Sequence, residues 1–181
     1  MRSLLLVPVL ALAACGSSGS SLSTADVQQF SVLASNVASA ASSYGTQAAA
    51  MSDLPSCASA QAGYDGQVRS MIAGMNGIGA RMDQEMSGMG HMSDADMGCD
   101  LGAMRAELDR HQGVACSSPD LTVNRGEAAR HVAAMTRWAD LARARAQEMG
   151  SMMGMSGMGG MGAAGSGPHC ARDATGYVYV P

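Results

Sequence analysis

The chain has 181 residues with 11 basic and 15 acidic side chains, a net charge of −4, and 47% hydrophobic but only 3% aromatic residues. Every basic residue is Arg, which excludes a P-loop lysine, a Schiff-base lysine and a Ser–Lys nucleophile, and the acidic balance argues against nucleic acid as a partner. The length suits one domain, and an apolar fraction made of Ala, Met, Leu and Val disfavours a β-sandwich and points to an all-α fold.

Arg2 precedes an apolar run from Leu4 to Leu12, followed by Leu12-Ala13-Ala14-Cys15. The run is shorter than the roughly 20 residues that span a bilayer, and charge, short apolar core and small residues together read as a secretory signal over residues 1–14. Leu-Ala-Ala-Cys in this position resembles the lipobox of bacterial lipoproteins. That resemblance implies cleavage before Cys15, acylation of its thiol and amine with palmitate-class chains, and a membrane partner through the lipid anchor. Several acyl chains on one residue make such an attachment stable. Gly16, where Asp would favour inner-membrane retention, points the resemblance to an outer-membrane lipoprotein facing the periplasm or the exterior. Residues 15–23, rich in Ser and Gly, read as a flexible tether.

Four helices are expected over residues 24–149. Val27, Phe30, Ala34, Val37, Ala41, Tyr44, Ala48 and Met51 recur in steps of three and four behind the caps Ser23 and Thr24. After Pro55, a second stripe runs Tyr64, Val68, Met71, Met75, Ile78, Met82 and Met86, weakened by Gly74, Gly77 and Gly79. Ser93 or Asp94 opens a third helix with Met97, Leu101, Met104, Leu108, His111 and Ala115 on one face. Asn124 and Glu127 read as a capping-box variant opening a fourth, with Ala128, His131, Met135, Trp138, Ala142 and Met149 inward. Short connections favour an antiparallel up-down four-helix bundle. Residues 150–181 read as a Gly/Met-rich tail, disordered from Gly150 to Gly167, with Cys170 as a disulfide anchor and Tyr177–Val180 able to add a short extended piece.

Four cysteines follow Cys15, and an exported chain with an even number of them is expected to form disulfides. In an up-down bundle Cys57 and Cys116 share one end, whereas Cys57 and Cys99 are a helix length apart, far beyond the roughly 7 Å that a bridge allows. The expected bridges are therefore Cys57–Cys116 and Cys99–Cys170. The absence of Cys-x-x-Cys disfavours the alternative, thiol metal ligands.

Methionine is the compositional outlier, at 17 residues. Met86, Met89 and Met92 surround His91, and six more methionines crowd Met149–Met161. Thioether sulfur is neutral and soft, selects Cu(I) or Ag(I), and needs no deprotonation. The Met-x-x-Met run with its histidine looks like the Met/His-rich segments of periplasmic copper- and silver-handling proteins. A second candidate set is His111, His131 and Met135, since both histidines fall on inward stripes at similar depth. The competing readings are a Met-rich tail that consumes oxidants and two boundary histidines hydrogen-bonded to carboxylates. Gly157–Gly162 matches a dinucleotide fingerprint only literally, having no preceding strand. No catalytic constellation is evident, so the chain reads as a non-enzyme. The sequence thus predicts a lipid-anchored envelope protein that binds or buffers copper or silver ions. The alternative is a structural or interaction lipoprotein without a metal ligand, contacting another envelope protein. An Ala-rich, thin core also admits a homodimer.

Overall fold

Ser23 closes the start of the first helix by physical necessity, because the first backbone N–H groups of a helix have no partner inside it. Its hydroxyl accepts from the Asp26 N–H at 3.1 Å and its own N–H donates to the Asp26 carboxylate at 3.0 Å, a reciprocal capping box. The computed structural model describes residues 22–88, 95–154, 168–174 and 176–180. Within them lie α1 (Thr24–Ala50), α2 (Leu54–Gly88), α3 (Ala95–Val114), α4 (Leu121–Gly154), β1 (His169–Asp173) and β2 (Gly176–Val180). The protein is mostly helical with one small antiparallel sheet. No described helix is long and apolar enough to cross a membrane.

The heptad-like stripe of α1 buries Val27, Phe30, Ala34, Val37, Ala41, Tyr44 and Ala48. On α2 the buried positions are Cys57, Tyr64, Val68, Ile72, Met75, Ile78 and Met82; Ile72 takes the inward place expected of Met71, which is partly buried. Helix α1 packs on α4 and α2, and α3 packs on α4 and α2, so that α1 faces α3, and α2 faces α4, across the bundle. Two disulfides join its parts, Cys57–Cys116 and Cys99–Cys170, each with 5.8 Å between Cα atoms. Each loop so closed restricts the unfolded chain by about 4 kcal/mol in the chain-entropy picture.

Three expectations need correction. Helix α4 starts at Leu121, not at Asn124: Asp120 accepts from the Thr122 N–H at 2.7 Å, while buried Asn124 reaches back to the Ser118 carbonyl at 2.8 Å. Bonding the connection rather than the helix start, Asn124 is not the cap. The tail is not disordered from Gly150 onward either, while the extended piece expected at Tyr177–Val180 is present within β2. Gly150 continues α4, where an added Cβ would lie 3.3 Å from Val27 of α1, and the helix runs to Gly154. Beyond the bridge cysteine, β1 pairs with β2, Cys170 opposite Tyr179. The hairpin is held on α3 by its disulfide and by Tyr177 lying against Gly102, where any Cβ would collide with the Tyr177 hydroxyl and ring. It also rests on α4, with Tyr179 edge-on to Trp138 and under Arg137. His169, read as a tail residue, is the first residue of β1.

Candidate functional site

At the centre of the bundle four aromatic rings meet in two stacks. Tyr44 of α1 lies on Tyr64 of α2 with centroids 4.6 Å apart, and His111 of α3 lies on His131 of α4 at 3.9 Å. The stacks are joined by hydrogen bonds along both diagonals, Tyr44 to His111 at 2.9 Å and Tyr64 to His131 at 3.0 Å. The outer nitrogen of each ring meets a carboxylate from the neighbouring helix: His111 Nδ1 faces Glu127 at 3.1 Å, and His131 Nδ1 faces Glu107 at 2.8 Å. Arg130 then bonds Glu107 at 2.6 Å and Glu127 at 3.2 Å, and Arg110 bonds both carboxylates as well.

The bonding fixes the protons. An ionised carboxylate can only accept, so Nδ1 of each ring carries the hydrogen. A neutral ring then offers Nε2 as an acceptor, and each tyrosine hydroxyl donates to it. Burial keeps His111 on the neutral side, lowering its affinity for a proton, and the neighbouring His131 adds to this against the pull of Glu127. Burial likewise pushes the Tyr44 phenol up to about 12, and it raises Tyr64 further. Asp65, 7% exposed beside this cluster, is held above the usual carboxylate range by burial, and its Oδ1 has no hydrogen-bond partner among the described residues. The result is two Tyr–His–Glu chains, each satisfied from phenol to carboxylate.

Of the residues singled out from sequence, the structure brings His111 and His131 together and buries both completely. Met135 is fully buried one turn along α4 from His131. All four ring nitrogens of the pair are engaged by Tyr or Glu, so these rings offer no unoccupied donor in this arrangement. Met86 is placed only by its backbone in α2, and Cys15, Met89, His91 and Met92 lie outside the described residues. Among the described residues no group of three or more His, Cys, Asp or Glu side chains is disposed to hold a metal ion.

In the sequence, Glu127 belongs only to a capping pattern, Glu107, Arg110 and Arg130 carry no role, and Tyr44 and Tyr64 are positions on apolar stripes. A signal was present. Glu107-Leu108-Asp109-Arg110-His111 and Glu127-Ala128-Ala129-Arg130-His131 share the pattern E-x-x-R-H. Both Tyr–His bonds also span 67 residues, and this shift carries α1 onto α3 and α2 onto α4. The helix pairs are thus two copies of one register, with Tyr in one copy where His stands in the other.

Against the tyrosine stack, α1 and α2 leave a half-open groove of about 480 Å³. Ala40, Ser43, Tyr44 and Gln47 line one wall; Ser56, Ser59, Ala60, Gly63, Tyr64 and Gln67 line the other. Compared with protein-family models, curated proteins and solved structures, the chain has no match.

Proposed function

We propose that the chain is a lipid-anchored protein of the cell envelope, attached through Cys15 at the outer membrane. In this reading its helices run up and down in an antiparallel bundle that carries Met-rich segments binding or buffering Cu(I) or Ag(I). The observation that carries the reading is the pairing of Cys57 with Cys116 and of Cys99 with Cys170. Disulfides form and persist in oxidising compartments, which supports export, and they leave thioether sulfur as the soft donor for such a cation.

The described ends of the two Met-rich connections support a shared site. Gly88 and Ala95 flank the first, and Gly154 and Pro168 flank the second. Asp26 at the start of α1 bonds Arg81 near the end of α2, Gly150 of α4 abuts Val27, and Cys99 of α3 is bridged to Cys170. The α1 start, α2 end, α3 start and α4 end therefore gather at one pole. Met86, Met89, His91 and Met92 supply the ligands in this reading, joined by methionines of the second connection. His111, His131 and Met135 stay in the core.

A second reading, a structural or interaction lipoprotein without metal, is favoured by the saturation of His111 and His131. Titration of the lipid-free mature chain with Cu(I) against a competing chelator separates the two. Replacing Met86, Met89, His91 and Met92 together should lower affinity at least tenfold and leave helix content unchanged. Affinity unchanged by that replacement sinks the metal reading. Truncation after Gly150 is unsuitable, since it cuts α4 and removes the partner of Cys99; Met→Leu replacement within 152–161 tests the second connection instead.

A further inference from the structure

Each phenol of the central cluster is paired with a base placed to take its proton. Tyr44 and Tyr64 donate to the Nε2 atoms of His111 and His131 at 2.9 and 3.0 Å, and each imidazole is held through Nδ1 by Glu127 or Glu107. A carboxylate on the far nitrogen fixes the tautomer and stabilises the imidazolium that forms when Nε2 accepts a proton. Loss of the proton alone is disfavoured, because burial pushes the Tyr44 phenol up to about 12 and raises Tyr64 as well. Loss of the proton together with an electron is different. It leaves an uncharged phenoxyl ring in the apolar interior and puts the positive charge on an imidazole already bonded to a carboxylate, so no buried cation stands alone. The stacked second phenol, 4.6 Å away, offers an equivalent place for the hole. Asp65 adds a buried carboxylate whose Oδ1 has no hydrogen-bond partner among the described residues and whose charge favours a proton on His111.

Both tyrosines are closed to solvent, so an oxidant must draw the electron through the protein. Helix α4 supplies a route. His131, Met135 and Trp138 follow one another in steps of four and three on one face, and all three are buried. Trp138 lies about 10 Å along the helix axis from His131. It is edge-on to Tyr179, with ring centroids 5.8 Å apart, and Tyr179 is only partly buried on β2. The chain has a single Trp and four Tyr, and of these five rings only Tyr177 stands off this path from core to surface. We propose that Tyr44 and Tyr64 form a one-electron donor site for oxygen-centred radicals of the peroxyl class, connected to the surface through Trp138 and Tyr179. The electron passes along the path to the peroxyl radical, which takes a proton from solvent and becomes a hydroperoxide. The Tyr64 phenol proton moves to His131 Nε2, leaving a tyrosyl radical and an imidazolium held by Glu107. His111 and His131 stack at 3.9 Å, so a second imidazolium beside the first is disfavoured and the pair holds one hole at a time.

Freeze-quench electron paramagnetic resonance of the full chain with both disulfides intact, exposed to peroxyl radicals from a water-soluble azo initiator, tests this. A tyrosyl signal is expected, at no more than one spin per chain. Tyr44→Phe combined with Tyr64→Phe should lose it. The milder Trp138→Phe leaves the tyrosine cluster intact and should lose the signal at early times, with helix content unchanged by circular dichroism. No tyrosyl signal from the wild type, an equal signal from the double variant, or an equal early signal from Trp138→Phe overturns the proposal. So does dityrosine joining Tyr44 to Tyr64 in peptide mass spectra, which needs two holes at once.

Discussion

The α1–α2 and α3–α4 pairs set the same backbone register around the same central cluster, yet one ends in small residues and the other in four charges. The chemistry of the central ring explains the difference. Imidazole has a polar atom at each end, so a histidine that accepts from a tyrosine at Nε2 must still place its Nδ1–H on something. Glu107 and Glu127 supply that acceptor, and two carboxylates so close are tolerable because Arg110 and Arg130 bridge them. Tyrosine has one polar atom, spent on histidine, and its other edge is carbon. The α1–α2 pair therefore needs no cap, and its outer positions are left clear as a groove.

This contrast is broken most forcefully by removing a carboxylate. Glu107→Ala leaves the buried His131 Nδ1–H and the Arg110 and Arg130 guanidinium groups without their shared acceptor. Chemical denaturation should show a loss of about 3 kcal/mol. Ala40→Ser, the matching position of the other pair, should change stability by less than about 0.5 kcal/mol. Tyr64→Phe ranks second. It strips the donor from His131 Nε2 and should cost about 2 kcal/mol, because an acceptor buried without a partner forfeits its solvation.

Titration sharpens the same contrast, since the two halves fail at opposite ends of the pH scale. His111 takes a proton less readily in the fold than its ordinary 6.5. Its contribution is therefore complete above about pH 6.5 and lost as pH falls through the lowered folded value. The groups facing it are Tyr44 from α1, Asp65 from α2, and Glu127 and His131 from α4. Asp65, which is raised, binds its proton more readily in the fold and opposes the loss at lower pH. His111→Gln should flatten the dependence of stability on pH between 7 and about 5. Tyr44 behaves in the reverse sense: its phenol rises from 10 to about 12 in the fold, so stability should decline as pH rises through that window. The chain has no lysine to titrate there, but Tyr64 is raised as well, so Tyr44→Phe should remove only its own share of the decline, about 3 kcal/mol at most, and Tyr44→Phe with Tyr64→Phe should remove most of the rest. The smallest effect is expected from Ser59→Ala on the groove rim, within about 0.5 kcal/mol.

Much of the helical architecture was legible in the sequence, because a stripe such as Val27–Ala48 can bury only one face and thereby fixes that helix against its neighbours. The disulfide partners followed from helix length alone, as Cys57 and Cys116 need only share an end. The α4 start was misplaced because Asn124 and Glu127 satisfy a capping pattern, while their partners Ser118 and His111 come from outside α4. Of the hairpin only the extended piece Tyr177–Val180 was legible; β1 and its pairing were not, because Gly-rich chain separates them from the bundle and what orders them is the bridge to Cys99, Tyr177 on Gly102 and Tyr179 on Trp138 rather than any local period. In the central site, the meeting of His111 and His131 was legible from their depths. Their partners were not read, since E-x-x-R-H must be recognised as a repeat before Glu107 and Glu127 separate from other helical carboxylates. Asp100 is a similar case: in sequence one more acidic residue near the α3 start, it is fully buried on Arg145 of α4 at 2.6 Å.

The two buried histidines are saturated by tyrosine and glutamate, so in the proposed reading a soft metal is left to methionine. Nitrogen-15 NMR of the histidine rings at pH 7.5, recorded with and without Ag(I), tests it directly. The account predicts neutral Nδ1–H rings for His111 and His131 that Ag(I) leaves unmoved while methionine methyl signals shift. An Nε2–H ring at either position, or a ring nitrogen that shifts with silver, would contradict it.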